Sequence, residues 1–192
     1  MKTTAQLNHE KLRFDEAKDT HLVVTLTAPP AATASARQPV CVIPVLDVSG
    51  SMEGKKLHYA KQSILKLVDH LAPGDFCGVV LFSTEVETLA APAAMTPAEK
   101  ESLRAAVGRI EARSNTNLAG GLLAGLDHAR IARLPAGMPV RVILFTDGLA
   151  NTGPAKGAKE LCALLEANRG EATVSAFGYG DDADQELLRE LS

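Results

Sequence analysis

Apolar residues run almost unbroken from Val40 to Leu46 and again from Phe76 to Phe82. Continuous apolarity, as opposed to alternation, predicts strands buried on both faces. Pro44 falls inside the first run and cannot donate to a ladder, so a local irregularity is expected there. Pro139–Thr146 and Ala172–Phe177 predict two further strands, Val86–Leu89 a short edge strand, and the alternating, β-branched His21–Thr27 another. Between these the apolar spacing changes to three and four. Leu57, Ala60, Ile64, Leu67, Val68 and Leu71 share one helical face, which Pro73-Gly74 ends. Pro97 opens a second helix through Leu103, Val107 and Ile110, with Thr96 as N-cap and Glu99 completing a capping box. A third runs through Leu122, Leu126, Ala129 and Arg133. A fourth runs from Lys156 to Asn168, before Gly170, and a fifth from Asp182 to Leu191. Ser51 is placed to cap the first helix.

Strands that alternate with helices predict an α/β fold: a doubly wound, mostly parallel central sheet flanked by helices on both faces, with right-handed crossovers. The strand at 21–27 precedes it, as an extra amino-terminal edge strand or as part of a neighbouring module. Residues 1–19 are mostly polar with little period, and 29–35 form a connector of small residues. The expected division is an extension over 1–38 and the α/β domain over 39–192.

Charge and composition mainly exclude. Lys plus Arg number 20 against 23 for Asp plus Glu, a net charge of −3, so no basic excess recommends nucleic acid or an anionic membrane. With no Trp, five Phe and two Tyr, no stacking platform for bases is expected. No apolar run is long enough to span a bilayer, and the first ten residues lack the apolar core of a secretory leader. Cys41, Cys77 and Cys162 lie far apart in apolar surroundings. That predicts buried free thiols in a reducing compartment, hence a cytoplasmic setting.

The chemistry gathers at strand ends. In a doubly wound sheet, ligands sit outside the carboxyl ends of the strands. Asp47 ends the first central strand and Asp147 a later one. In Asp47-Val48-Ser49-Gly50-Ser51-Met52, the alternating oxygens of Asp47, Ser49 and Ser51 can turn toward one point, with Gly50 free to bend. Thr116, in a polar loop before a helix, can reach the same rim. Carboxylates and hydroxyls are hard donors suited to a hard divalent cation, and Mg²⁺ needs few of them because it keeps several waters. An open position on such an ion would take a carboxylate from another protein.

These residues make the chain resemble a von Willebrand factor type A domain of the bacterial type. Asp47, Ser49 and Ser51 match the Asp-x-Ser-x-Ser of that family's metal-ion-dependent adhesion site. Thr116 in Ser114-Asn115-Thr116-Asn117-Leu118 matches its distant threonine. Asp147 in Leu144-Phe145-Thr146-Asp147-Gly148 matches its distant aspartate. The resemblance covers about residues 39 to 192. It implies a Mg²⁺ or Mn²⁺ site, with Ca²⁺ less suited, in which both serines touch the ion and the aspartates often act through water. It implies a protein-binding module that grips an Asp or Glu of its partner. Gly50, Met52, Asn115, Gly148 and Leu149 are expected on the partner-binding rim. The family continues beyond Leu191-Ser192 with one more strand and helix, so a carboxyl-terminal truncation is expected.

Other readings are weighed beside this one. A Mg²⁺-dependent phosphohydrolase using Asp47 as nucleophile would want a second Asp where Ser49 stands. A regulatory subunit of an AAA-type ATPase or chelatase is a binding role with a particular partner. The five histidines are scattered and expected at or near the surface. Asp181-Asp182-Ala183-Asp184 is expected to cap the last helix, where negative charge favours the amino end.

Overall fold

The computed structural model describes residues 2–7, 21–27, 37–132, 134–148, 151–155, 157–181 and 183–192. The chain divides into two units, Met1–Arg37 and Gln38–Ser192. In the first, β1 (Lys2–Leu7) pairs antiparallel with β2 (Leu22–Thr27), from Lys2 opposite Thr27 to Leu7 opposite Leu22. The strand expected at 21–27 therefore forms, but in a two-stranded sheet of its own, not as an edge of the larger one. Its partner comes from a stretch read as patternless. Thr3 to Leu7 are all exposed, so no buried face imposes a period on them. The connector at 29–35 lies outside the described residues.

The second unit carries β3 (Cys41–Asp47), α1 (Lys55–His70), β4 (Phe76–Phe82), β5 (Val86–Ala94), α2 (Pro97–Gly108), α3 (Leu118–Ile131), β6 (Val140–Thr146), α4 (Ala158–Asn168), β7 (Thr173–Gly178) and α5 (Gln185–Glu190). The strand order is β5-β4-β3-β6-β7, parallel throughout except for β5. Every residue of β3 is buried, and its side chains alternate between two cores. Ile43 and Val45 join Val80, Leu122, Leu144 and Leu161 on the face of α3, α4 and α5. Val42 and Leu46 join Ile64, Val68, Leu81 and Val107 on the face of α1 and α2. Each such buried side chain contributes roughly 1.5–3 kcal/mol, so both faces of the sheet hold the rim in place.

α3 approaches the sheet on small residues. A Cβ on Gly125 would lie 2.5 Å from Val45 Cγ2, and one on Gly121 would enter the Phe82 ring. The irregularity expected at Pro44 takes a mild form. β3 keeps its register with β6 through Pro44, and its offset from β4 is constant, with no pairing recorded at Ile43 and Pro44. The register shifts fall one strand over, between β4 and β5 around Val79, where Pro92 packs onto Gly78. β5 runs nine residues, well past the short strand expected.

Helix starts differ from expectation in two places. Thr96 Oγ1 accepts from Glu99 N at 3.2 Å, but the Thr96 N–H donates to Ala94 O, so the other half of the capping box is replaced by backbone. Ser51 does not cap α1. It lies in the 3₁₀ turn Gly50–Met52, and the N-cap is Gly54, with no side-chain bond. Asp184, from the acidic run, caps α5 by accepting from Leu187 N at 3.0 Å, while Asp181 is exposed outside the cap.

Candidate metal centre

β3 is flanked by β4, reached through α1, and by β6, reached from the other side. It is the switch point of the sheet, where strand ends diverge and leave a crevice. Asp47 is the last residue of β3 and Asp147 follows β6, its neighbour, so two carboxylates meet at the centre of the rim. Both are fully buried. Asp47 Oδ1 accepts from Ser49 N at 2.8 Å, and Oδ2 accepts from Thr146 Oγ1 at 2.6 Å. Burial pushes the Asp47 carboxyl above its ordinary value. The bonds from Ser49 and Thr146 oppose this, and the neighbouring charge of Asp147 adds to it. Lys56 Nζ lies 3.2 Å from Asp147 Oδ2.

Ser49 Oγ and Ser51 Oγ share a hydrogen bond of 3.1 Å; Ser49 is buried and Ser51 exposed. Gly50 N donates to Ser114 O at 2.8 Å, tying the loop after β3 to the loop that carries Thr116. A Cβ on Gly50 would press on Arg113 O and Ser114 O at 3.3 and 3.4 Å. Thr116 is 1% exposed. Its N–H donates to Asn151 Oδ1 at 2.8 Å, and its carbonyl accepts from Asn151 N and Thr152 N at 3.2 and 3.1 Å. The loops bearing Asp47, Thr116 and Asp147 are thus bonded into one rim.

Three residues here escape the sequence reading, Lys56 beside Asp147 being one of them. Thr146 bridges the strands, donating to Asp47 while accepting from Gly148 N at 3.0 Å. Its signal was a hydroxyl at the end of an apolar strand beside the acid. Asn151 grips the Thr116 peptide from both sides, which no local pattern announces. Of the expected rim residues, Gly50 and Asn115 are exposed. Met52 is fully buried in the α1–α2 core: the 3₁₀ turn points it inward, leaving nothing for a partner to touch. Gly148 is also buried, at φ 82° and packed against Asp184. Leu149 lies outside the described residues.

The donor set fits a hard cation. Two buried carboxylates and three hydroxyl side chains offer oxygen only, and among the described residues no cluster of His, Cys, Asp or Glu offers a softer alternative. In the loop that clamps Thr116, Thr152 Oγ1 is buried with no hydrogen-bond partner. A buried hydroxyl left without a partner is costly.

The family described as von Willebrand factor type A domain matches residues 42–192. The rat inter-alpha-trypsin inhibitor heavy chain H3 is 35% identical over 153 residues, 77% of this chain and 17% of that protein. The chain thus spans under a fifth of the length of the curated relatives it matches. Among solved structures, a von Willebrand factor type A protein from Catenulispora acidiphila superposes with a TM-score of 0.67 at 20% identity, covering 98% of this chain and 39% of that one. Proximal thread matrix protein 1 of the mussel byssus, solved with a zinc-occupied MIDAS motif, gives 0.63 at 23% identity, covering 81% and 41%. At these identities the structures speak for the fold.

The relatives correct two expectations. The curated heavy-chain relatives are mammalian, so the expected bacterial type is not supported. Inter-alpha-trypsin inhibitor heavy chains are secreted proteins, which contradicts the cytoplasmic setting expected from the thiols. Only two of the three thiols are buried as expected, Cys162 being half-buried, and burial by itself makes those two inert: it pushes Cys41 up to about 11 and, with the neighbouring Cys41 adding to it, Cys77 up to about 12. A buried thiol of that kind is protected in any redox compartment. No helix among the described residues is long and apolar enough to cross a membrane.

Proposed function

Because the chain belongs to the von Willebrand factor type A domain family, we propose that it is a binding module that captures an acidic side chain of a partner protein through a Mg²⁺ at this rim. Asp47, Ser49, Ser51, Thr116 and Asp147 would hold the ion. When bound, it supplies a hard positive centre with room for one foreign carboxylate oxygen. The chain's own work is positioning. β3 and β6 present the two acids side by side, Thr146 orients Asp47, and the Asn151 clamp fixes Thr116. Ser51, exposed beside buried Ser49, marks the open side. Mn²⁺ would serve as well, and Ca²⁺, which takes more ligands, suits the set less.

The observation that carries the reading is the pair of fully buried carboxylates at adjacent strand ends, set among hydroxyls. Binding is favoured over phosphoryl hydrolysis because position 49, where an acid/base group would be needed beside Asp47, holds a serine bonded to another serine. The test is retention of Asp-containing peptides on the immobilised chain, with Mg²⁺ and with a chelator, against the same peptides carrying Asn. Retention only with Mg²⁺ and only of the Asp forms is expected. Retention indifferent to the chelator would contradict the proposal.

A further inference from the structure

Lys56 stands in the first turn of α1, a helix with no side-chain cap and no acidic residue in that turn. The amino end of a helix carries partial positive charge and disfavours a cation, so the helix gives no reason for an ammonium there. The reason lies across the rim: Lys56 Nζ is 3.2 Å from Asp147 Oδ2, with Lys56 20% exposed and Asp147 fully buried. We propose that Lys56 is a fixed counter-cation of the metal centre, one that lowers its affinity for a divalent ion and raises the loaded centre's affinity for an acidic ligand. This rests on the metal-binding reading above and adds to it the residue that sets the balance between ion and partner.

The two formal charges of Asp47 and Asp147 match those of a divalent ion. The Lys56 ammonium, held against Asp147, adds one positive charge to that balance, so the loaded centre attracts a visiting carboxylate more strongly than it would with the ammonium gone. Lys56 also draws on the same carboxylate that the ion would use. Both effects oppose ion capture, and both leave the ion more demanding of an outside anion.

The experiment compares wild type, Lys56→Met and Lys56→Arg as whole chains. Methionine keeps the aliphatic stem and removes the charge. Mn²⁺ affinity is read by calorimetry. Carboxylate affinity is read on the Mn²⁺-loaded proteins by titrating acetate and following the loss of water-proton relaxation as water is displaced. Lys56→Met is expected to bind Mn²⁺ about tenfold more tightly, the effect of one unit charge a few ångströms from a divalent ion in a water-rich surrounding. It is expected to bind acetate severalfold more weakly. Lys56→Arg is expected to stay close to wild type in both. Opposite shifts in the two affinities are something a merely structural lysine would not produce. Mn²⁺ affinity in Lys56→Met that is unchanged or lower, or acetate affinity that is unchanged, overturns the assignment. No Mn²⁺ binding by the wild type would instead bring down the metal reading on which it rests.

Discussion

Buried carboxylates stand at both ends of the five-stranded sheet, and they are handled in opposite ways. At the amino end of β4, Asp75 is 1% exposed. It accepts from Val40 N at 3.0 Å and from Ala72 N, and its own carbonyl accepts from Met95 N. It staples three segments where β3 and β4 begin and β5 ends. At the carboxyl end, Asp47 and Asp147 are brought together with like charge, and their neighbours are hydroxyls, the single backbone N–H of Ser49 and one lysine. A carboxylate surrounded by backbone donors stabilises the fold. A pair of carboxylates set side by side costs stability and is suited to a ligand that brings positive charge.

The sharpest break between the two ends comes from metal binding. Asp147→Ala is expected to weaken Mg²⁺ or Mn²⁺ by more than the 10–100-fold typical of losing an outer partner, while Asp75→Ala leaves affinity unchanged in calorimetry. Stability should show the reverse. Asp75→Ala strands two backbone donors and is expected to lose about 3 kcal/mol in chemical denaturation. Asn151→Ala lies between the two: it takes away the acceptor of the Thr116 N–H and leaves the backbone bonds to the Thr116 carbonyl, so a loss of about tenfold in metal affinity is expected, with a melting temperature lowered by a few degrees. The smallest effect concerns Asp47 without added metal. Its carboxyl is raised in the fold, so the folded chain holds that proton more readily than the unfolded chain. Stability from this group is therefore lost as pH rises from the ordinary carboxylate value through the raised one. Asp47→Asn in chelator is expected to melt slightly above wild type at neutral pH, and acidification of wild type is expected to weaken metal binding as the carboxyl takes its proton.

What the sequence disclosed follows the same physics. β3, β4 and β6 are buried deeply enough that apolarity alone announces them, and the acid ending β3 and the acid just after β6 stand out against it. In β1, Thr3 to Leu7 are all exposed, so they carry no period. β5 lies at the sheet edge with no fully buried residue, and after Leu89 it runs through Ala and Pro, which carry no strand signal. At the rim, the side chains with an obvious donor chemistry were legible. Thr146, Asn151 and Lys56 were not, because each acts on another site residue across 35 or more positions. Met52 shows the opposite failure: adjacent to Ser51 in sequence, it is turned into the core by a single 3₁₀ turn.

Calorimetric titration of the intact chain with Mg²⁺, beside Asp147→Ala, bears most directly on the rim as a metal centre. One ion per chain in the wild type, and no measurable binding in the variant, is the expected result. Binding that survives the loss of Asp147, or a wild type that gives no heat with either Mg²⁺ or Mn²⁺, would contradict it.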